Sequence, residues 1–208
     1  MFDLKSVRLA AIGGGVDTDV EFDAASFRDR FGIKDDFILY AGRKDTGKNV
    51  ELLIRYFEQY RKEESGSSLK LVLIGGGRID IPAGMKKEII DLGFVDKSDK
   101  YNAYAAALAT CQPSVNESFS IVIMESWICG RPVLVHDKCA VTQDFVRRAN
   151  GGLYFNSFYE FKGCIEYLLN NRTNADLMGE NGREFVNRNF SWNVIVEKYR
   201  EFFNGCLI

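Results

Sequence analysis

The chain has 208 residues, of which 46% are hydrophobic and 27% are charged, and its formal net charge is −2 at pH 7. This composition is typical of a globular domain with ample apolar material for a core. It excludes the strongly basic surface by which proteins bind nucleic acid. No run approaches the roughly eighteen uninterrupted apolar residues of a membrane-spanning helix, and the N-terminus lacks the apolar core of a signal peptide.

The cysteines and the single histidine exclude several kinds of site. The five cysteines are widely spaced, odd in number and form no Cys-x-x-Cys pair. This pattern argues against a disulfide framework or a zinc site and favours a reducing compartment. His136 is the only histidine, and a lone histidine at a strand end is more often a structural hydrogen-bonding group than a base. We therefore expect a cytoplasmic protein.

From residue 37 onward, short β-rich apolar runs alternate with amphipathic helical patterns. The six runs span residues 37–41, 69–74, 90–95, 109–114, 132–136 and 152–155. This alternation predicts an α/β fold with a Rossmann-like, doubly wound parallel sheet of about six strands. Three further helical patterns between residues 158 and 203 predict closing helices at the C-terminus.

The first residues differ from this pattern. A turn at residues 13–17 is followed by Phe27, Phe31 and Ile33, which indicate only a short helix and a loop. We therefore divide the chain into a leading segment or interdomain linker (1–33), a Rossmann-like domain (34–190) and a C-terminal helix (191–208).

In a doubly wound sheet, ligands bind beyond the carboxyl ends of the strands. The loop after the first strand, residues 42–49, combines two glycines with Arg43, Lys44 and Lys48. Cations next to a helix N-terminus suit a pyrophosphate. A solvent-exposed polar turn is the alternative, and the loop alone does not decide between them. Gly75-Gly76-Gly77 after the second strand is, by itself, best interpreted as a tight turn.

The loop and helix after the fourth strand carry two acids eight residues apart. Glu117 alone is best explained as an acid at a helix N-terminus. Glu125 lies among apolar residues, where a carboxylate needs a partner. The vicinal hydroxyls of a ligand would provide one, because an ionised carboxylate only accepts hydrogen bonds. A core ion pair is the alternative, and we favour the ligand.

Several short motifs occur in a fixed order along the chain. They are Gly13 to Asp17, Tyr40-Ala41-Gly42-Arg43 with Lys48-Asn49, Leu73-Ile74-Gly75-Gly76-Gly77, Gly93-Phe94-Val95, Pro113-Ser114, Glu117-Ser118-Phe119 with Glu125, Gly130-Arg131-Pro132-Val133, and Phe190-Ser191-Trp192. This ordered set, which covers nearly the whole chain, resembles the C-terminal, donor-binding domain of the GT-B-fold glycosyltransferases of family 4, known as group 1.

The resemblance implies a retaining hexosyltransferase of polysaccharide biosynthesis, which uses a nucleotide-diphosphate sugar and a glycan or lipid-linked acceptor. Arg43 and Lys48 would hold the diphosphate and stabilise it as a leaving group, and Glu117 would face the donor sugar. No metal or other cofactor is implied. The remaining donor-binding positions would be Gly42, Gly76, Phe94, Val95, Ser118, Phe119, Ser120 and Glu125.

Among these positions, the resemblance gives each group its own part of the donor. Glu125 would bind the ribose hydroxyls, and the segment containing Phe94 and Val95 would contact the nucleobase through its backbone. The backbone N–H groups of residues 118–120 would lie near the sugar or the phosphate.

The sequence departs from the family in three respects. Ser118 and Ser120 stand where glycine is common, and Trp127 and Ile128 replace small residues. The acceptor-binding N-terminal domain is missing, so a partner chain or a longer protein would supply it. The helix at 191–208 would pack toward that half, which would also carry any peripheral membrane association.

Two alternatives belong to other classes of protein. A stand-alone nucleotide-sugar-binding module without turnover would carry the same motifs, and the sequence does not separate it from an enzyme. A Rossmann dehydrogenase is disfavoured, because no Gly-x-Gly-x-x-Gly follows the first strand.

Overall fold

A computed structural model describes residues 12–206, which form one parallel sheet covered by helices. The leading residues 1–11 of the predicted linker and the last two residues of the predicted C-terminal helix lie outside this range. The six strands are β1 Phe37–Ala41, β2 Lys70–Ile74, β3 Ile89–Gly93, β4 Ala109–Gln112, β5 Val133–His136 and β6 Gly152–Phe155. The α-helices within residues 12–206 are α1 Ala24–Phe31, α2 Val50–Glu63, α3 Lys97–Ala106, α4 Ile121–Ile128, α5 Ala140–Ala149, α6 Phe158–Asn170, α7 Arg172–Phe190 and α8 Trp192–Cys206.

The strands follow the order β3-β2-β1-β4-β5-β6, and every neighbouring pair is parallel. The predicted fold class, the six strands and the three closing helices are confirmed. Two strands end earlier than predicted, for local reasons. Gly93 adopts a φ of 67°, outside the strand region, and Pro113 after β4 has no N–H to extend the ladder.

The central strand β1 is buried on both faces, as parallel strands between two helical layers are. Ile38 and Tyr40 point into the core that α2 and α6 cover. Leu39 points into the opposite core, which α1 and α3 cover. The apolar runs were therefore continuous rather than alternating, and this made the strands recognisable in the sequence.

The predicted short helix near the N-terminus is α1, and it belongs to the core. Phe27 is fully buried and its ring centroid lies 5.8 Å from that of Phe37. The Arg28 guanidinium donates hydrogen bonds to the carbonyls of Asp35 and Ala106, each at 2.9 Å. The domain boundary at residue 33 stays a prediction, but the helix before it packs on the sheet.

Helices α4 and α7 pack so closely that glycine is needed at the contact. A Cβ at Gly182 would lie 2.1 Å from Cδ1 of Trp127, and one at Gly179 would lie 2.0 Å from the carbonyl oxygen of Gly130. Trp127 is fully buried, and its Nε1 donates a hydrogen bond to Gly151 at 2.6 Å. This tryptophan, which departs from the small residue common in the family, is therefore a core residue.

The last helix leaves apolar side chains in solvent. Trp192, Val196, Tyr199 and Phe203 are exposed, and their spacing of four, three and four residues places them along one face of α8. The packing of this helix toward another domain stays a prediction. None of the helices within residues 12–206 combines the length and apolar character needed to cross a membrane.

The close contact between α4 and α7 predicts opposite effects of two glycine substitutions. We expect Gly182→Ala to lower the free energy of unfolding by about 1–3 kcal/mol, because the added methyl overlaps a tryptophan ring that is packed on all sides. Gly163→Ala on α6 is the matched control. Nothing lies within 4 Å of a Cβ at this exposed position, so we expect a gain of about 0.5–1 kcal/mol.

Urea denaturation of the two variants and the parent chain would measure both effects. A Gly182→Ala variant as stable as the parent would contradict the close packing described here.

Candidate functional site

A cleft of about 280 Å³ lies at the carboxyl ends of the strands, near the point between β1 and β4 where the strand order reverses. This is where the sequence places the ligand. The cleft is formed by the ends of β1 and β2, the loops after β1, β2 and β3, and the helices α3 and α4. Its lining residues are Ala41, Gly42, Arg43, Ile74, Gly75, Gly76, Phe94, Val95, Lys100, Tyr104, Val122 and Glu125.

Six of the predicted site residues line this cleft. They are Gly42, Arg43, Gly76, Phe94, Val95 and Glu125. The other five predicted residues are not part of its lining. Lys48 and Glu117 form an ion pair with each other, and Ser118, Phe119 and Ser120 lead into the N-terminus of α4.

Lys44 does not belong to the cations that face a ligand, which corrects the expectation of three such cations in this loop. Its side chain is 0% exposed, and Nζ lies 3.0 Å from Oδ1 of Asp91. Nζ also donates to the carbonyl of Gly75. Asp91 Oδ1 accepts a further hydrogen bond from the N–H of Gly93 at 2.9 Å. A buried ammonium needs such a partner, so this lysine joins the loops after β1 and β2 to the carboxyl end of β3.

The glycine run after β2 serves two purposes. Gly75 and Gly77 have φ values of 117° and 96°, and a Cβ on either would strike the backbone of the β1 loop, at Gly42 and Lys44 respectively. A Cβ on Gly76 would meet nothing within 4 Å. The outer two glycines therefore permit backbone packing, whereas Gly76 presents bare backbone to the cleft.

The two cations predicted to hold a diphosphate are in different states. The Arg43 side chain is 79% exposed, with Nε 3.6 Å from the Asp45 carboxylate. Lys48 Nζ lies 2.8 Å from Oε1 of Glu117, which also accepts a hydrogen bond from Gln112 at 3.2 Å. Arg43 is thus available at the rim, whereas Lys48 is already paired with a carboxylate.

The approach to α4 is strained at Ser120. This residue precedes the helix with a φ of 62°, a left-handed conformation that favours glycine. Its buried hydroxyl has no hydrogen-bond partner within the described residues and does not cap the helix. The first N–H groups of α4 therefore have no side-chain cap, which leaves them available to an anion.

The two residues before Ser120 differ in their surroundings. Ser118 is exposed. The Phe119 ring packs against Phe145 and Phe190, at centroid distances of 5.8 and 5.3 Å. Phe119 is half-buried by these contacts, and the role predicted for its backbone stays a prediction.

Glu125 already has hydrogen-bonding partners within the chain. The sequence analysis favoured a ligand as the partner of this carboxylate, and the premise that a ligand has to provide that partner was wrong. The residue is 7% exposed. Oε1 accepts hydrogen bonds from Lys100 Nζ at 2.5 Å and from the Tyr101 hydroxyl at 3.3 Å. Oε2 accepts one from the Tyr104 hydroxyl at 3.0 Å. The ion pair that was the alternative is present, although the carboxylate also lines the cleft.

The three residues around Glu125 were missed as functional residues in the sequence. The sequence analysis placed this segment only among the amphipathic helical patterns and singled out none of the three side chains. The spacing of Lys100 and Tyr104, four residues apart, places both on one face of the helix. Burial, together with the charge of Glu125, raises the pKa of Tyr104 well above its usual value, so its hydroxyl remains a donor at neutral pH.

His136 is a structural residue, as predicted. It is buried, its Nδ1 accepts a hydrogen bond from the N–H of Lys138 at 3.2 Å, and its ring packs on Phe155. Burial, and next the charge of Lys138, lower its pKa. Within residues 12–206, no group of three or more His, Cys, Asp or Glu side chains could hold a metal ion.

Comparison with known sequences identifies one family. The sequence model of the "Glycosyl transferases group 1" family matches residues 22–185. The D-inositol 3-phosphate glycosyltransferase of Acidothermus cellulolyticus is 29% identical over 217 residues, covering 95% of this chain and 48% of that protein. An uncharacterized glycosyltransferase of Methanocaldococcus jannaschii is 26% identical over 183 residues, covering 83% of this chain and 46% of that protein. The chain thus spans about half the length of these relatives.

Solved structures share the fold. The sucrose-phosphate synthase from Thermosynechococcus elongatus superimposes with a TM-score of 0.81 at 23% identity, covering 98% of this chain and 54% of that one. Anabaena HepE in complex with UDP-glucose gives a TM-score of 0.80 at 18% identity, covering 93% and 57%. The described residues therefore have the fold of about half of each of these proteins.

The strain at Ser120 predicts a stabilising substitution beside the cleft. We expect Ser120→Gly to raise the free energy of unfolding by about 1 kcal/mol, because glycine relieves the left-handed conformation and removes a buried unpaired hydroxyl. These gains exceed the entropic cost of the added glycine. Ser118→Gly is the matched control, and we expect it to lower stability slightly, because Ser118 has no positive φ.

Thermal and urea denaturation of both variants would measure the difference. Equal destabilisation by the two substitutions would contradict the assignment of strain to Ser120.

Proposed function

Because the chain belongs to the group 1 glycosyl transferases, we propose that it provides the donor site of a retaining hexosyltransferase. The donor is a nucleotide-diphosphate sugar, and the acceptor is a glycan or a lipid-linked glycan. The observation that carries the proposal is the cleft itself. It combines the bare backbone of Gly76, the exposed cation of Arg43 and the buried carboxylate of Glu125 at the carboxyl edge of the sheet. HepE, which shares the fold, was solved with UDP-glucose.

The diphosphate lies, in this proposal, between Arg43 and the uncapped N-terminus of α4. The bond between the anomeric carbon and the phosphate oxygen breaks, and the nucleoside diphosphate leaves with the bonding electrons. Arg43, Lys48 and the helix N–H groups stabilise the added negative charge. The acceptor hydroxyl attacks from the same face of the sugar and passes its proton to the departing phosphate oxygen. The new bond to the anomeric carbon replaces the broken one on that face, so the anomeric configuration is retained.

Lys48 and Glu117 act together in this scheme. With Nζ 2.8 Å from the Glu117 carboxylate, the lysine can hold a phosphate oxygen on one side and the carboxylate on the other. Glu117 then lies next to the donor sugar, beyond the phosphates. No metal ion takes part, because fixed cations and backbone N–H groups serve the diphosphate.

The nucleoside occupies the other end of the cleft. Glu125 receives the ribose hydroxyls, and the backbone of residues 93–95 contacts the nucleobase. Phe94 is 86% exposed at the rim of the cleft, so its ring is free to pack against a bound ligand.

The acceptor is bound, in this proposal, by another half of the protein or by a partner chain. Two observations support it: the chain spans about half the length of its relatives, and α8 exposes an apolar face. The same two observations favour a second candidate, a nucleotide-sugar-binding module without turnover of its own. Release of nucleoside diphosphate from a bound donor on addition of acceptor, measured together with the half or partner chain that binds the acceptor, would separate the two.

The class of ligand is tested by thermal denaturation in the presence of UDP, GDP, ADP and NAD. We expect at least one nucleoside diphosphate to raise the melting temperature, because a ligand at 100 times its Kd stabilises the folded state by about 2.7 kcal/mol. NAD has no matching motif in the chain. Stabilisation by NAD alone would refute the proposal.

The diphosphate site is tested by charge removal. We expect Arg43→Ala and Lys48→Met each to weaken binding of the preferred nucleoside diphosphate by about tenfold, since a hydrogen bond to a charged group contributes about 1.5–3 kcal/mol. Binding of the nucleoside without phosphates should change by less than about twofold. Isothermal titration calorimetry would measure both affinities.

Arg147→Ala is the control, because this exposed arginine lies in the last turn of α5, away from the carboxyl edge of the sheet. Equal losses for the diphosphate and the bare nucleoside would show that the two cations do not contact the phosphates.

A further inference from the structure

Three side chains of α3 hold the carboxylate of Glu125, which lies on the neighbouring helix α4. Lys100 and Tyr101 donate to Oε1, at 2.5 and 3.3 Å, and Tyr104 donates to Oε2 at 3.0 Å. The Lys100 ammonium also lies 5.0 Å from the centroid of the Tyr101 ring. The carboxylate is therefore fixed in direction as well as neutralised in charge.

The hydrogen bonds leave part of Glu125 available. An ionised carboxylate offers about four acceptor positions. Oε1 uses two of them within the chain, whereas Oε2 uses one. Glu125 lines the cleft together with Lys100 and Tyr104. A ligand in the cleft can therefore reach this carboxylate, which has an acceptor position left on Oε2.

Helix α3, which carries the three donors, is itself anchored. The Asp96 side chain caps it by accepting the N–H of Asp99 at 2.8 Å. Arg30 on α1 forms an ion pair with Asp99 at 2.9 Å. The Asn102 side chain accepts the N–H of Asp23 at 2.7 Å. These contacts fix the helix from the side opposite the cleft. A helix whose side chains orient another residue must itself be held in place.

We propose that Lys100, Tyr101 and Tyr104 are positioning residues that aim the Glu125 carboxylate at the ribose hydroxyls of a bound nucleotide. The cleft consequently selects nucleotides with these hydroxyls over nucleotides that lack them. This inference rests on the proposed function, since it assigns the ribose to Glu125. It goes further by placing the source of ribose selectivity on α3, in residues that hold the carboxylate rather than the nucleotide.

A purely structural ion pair makes a different prediction. It would stabilise the fold, and its loss would weaken the binding of every nucleotide alike. A positioned carboxylate, in contrast, contributes only to ligands that donate to it. The ratio of affinities for a nucleotide with and without ribose hydroxyls therefore separates the two, even where a variant loses stability.

The experiment compares two ligands by isothermal titration calorimetry on the whole chain. The first is whichever of UDP, GDP and ADP stabilises the protein most, and the second is its 2′,3′-dideoxy analogue. In the parent chain we expect the first to bind at least about tenfold more tightly, because the analogue cannot donate the hydrogen bond to the remaining acceptor position of this charged group. Glu125→Gln should abolish most of this preference.

Tyr104→Phe is the decisive variant. It removes one hydroxyl and keeps the ring, so we expect the ribonucleotide to bind about three- to tenfold more weakly while the dideoxy analogue binds as before. Lys100→Met should lower the same ratio. In the Glu125→Gln background, Tyr104→Phe should have no further effect on the ratio, because the two residues act as one unit.

Tyr60→Phe is the matched control. Tyr60 is a buried tyrosine of α2 whose hydroxyl lies 3.5 Å from Ser67, in a different part of the fold. Its loss tests the general cost of removing a buried hydroxyl, and we expect the affinity ratio to stay unchanged.

Each outcome has a distinct meaning. If the parent chain binds no nucleotide, the proposed donor site is wrong and this inference falls with it. If it binds both ligands equally, the diphosphate site stands, but the assignment of the ribose to Glu125, and with it this inference, is wrong. If the parent distinguishes them and Tyr104→Phe keeps the full ratio, the donor site stands and the positioning role is wrong. Tighter ribonucleotide binding by Lys100→Met would show that Lys100 competes with the ribose, which would also overturn the inference.

Discussion

The shape of the cleft depends on one buried cation that does not face it. The Lys44 ammonium joins the Gly75 carbonyl to the Asp91 carboxylate, and that carboxylate also accepts the N–H of Gly93. The loops after β1 and β2 therefore meet the carboxyl end of β3 at a single point. Because a buried charge is costly without its partner, a shift of one of these segments alone is unfavourable. The exposed groups at the rim, Arg43 and Phe94, each adjoin a residue of this network, so their positions follow from it.

The sequence predicted the inner strands well because they are buried on both sides. The clearest is β1, an unbroken apolar run with Ile38 and Leu39 directed into opposite cores, and glycine-rich loops follow β1 and β2. The location of the cleft followed from the strand order. The partners of individual charged side chains could not be predicted in this way. Lys44 and Lys48 are four residues apart in one polar loop, and only the folded chain shows that one is buried with Asp91 whereas the other pairs with Glu117.

Glu125 shows why a sound local argument can reach an incomplete answer. A carboxylate among apolar residues does need a partner, and the sequence offered a ligand as that partner. The actual partners lie on α3, whose two tyrosines also fit an apolar helix face. A pattern of apolar and polar residues does not identify tyrosines as hydrogen-bond donors, because most of the tyrosine side chain is hydrocarbon. The packing of the predicted helix α1 was not visible in the sequence either, because the contact of Arg30 with Asp99 joins two helices that are distant in the sequence.

Glu117 and Glu125, the two acids eight residues apart, have a structural feature in common, because each forms an ion pair with a lysine. Glu117, just before α4, pairs with Lys48 of the β1 loop, and Glu125, within α4, pairs with Lys100 of α3. Helix α4 is therefore tied to the β1 loop at its start and to α3 one or two turns later. These ties lie on either side of the uncapped N-terminus of α4, whose N–H groups are directional and cannot follow a ligand. A movement of α4 would break one of the two pairs, so the two pairs together hold the uncapped end of the helix in place.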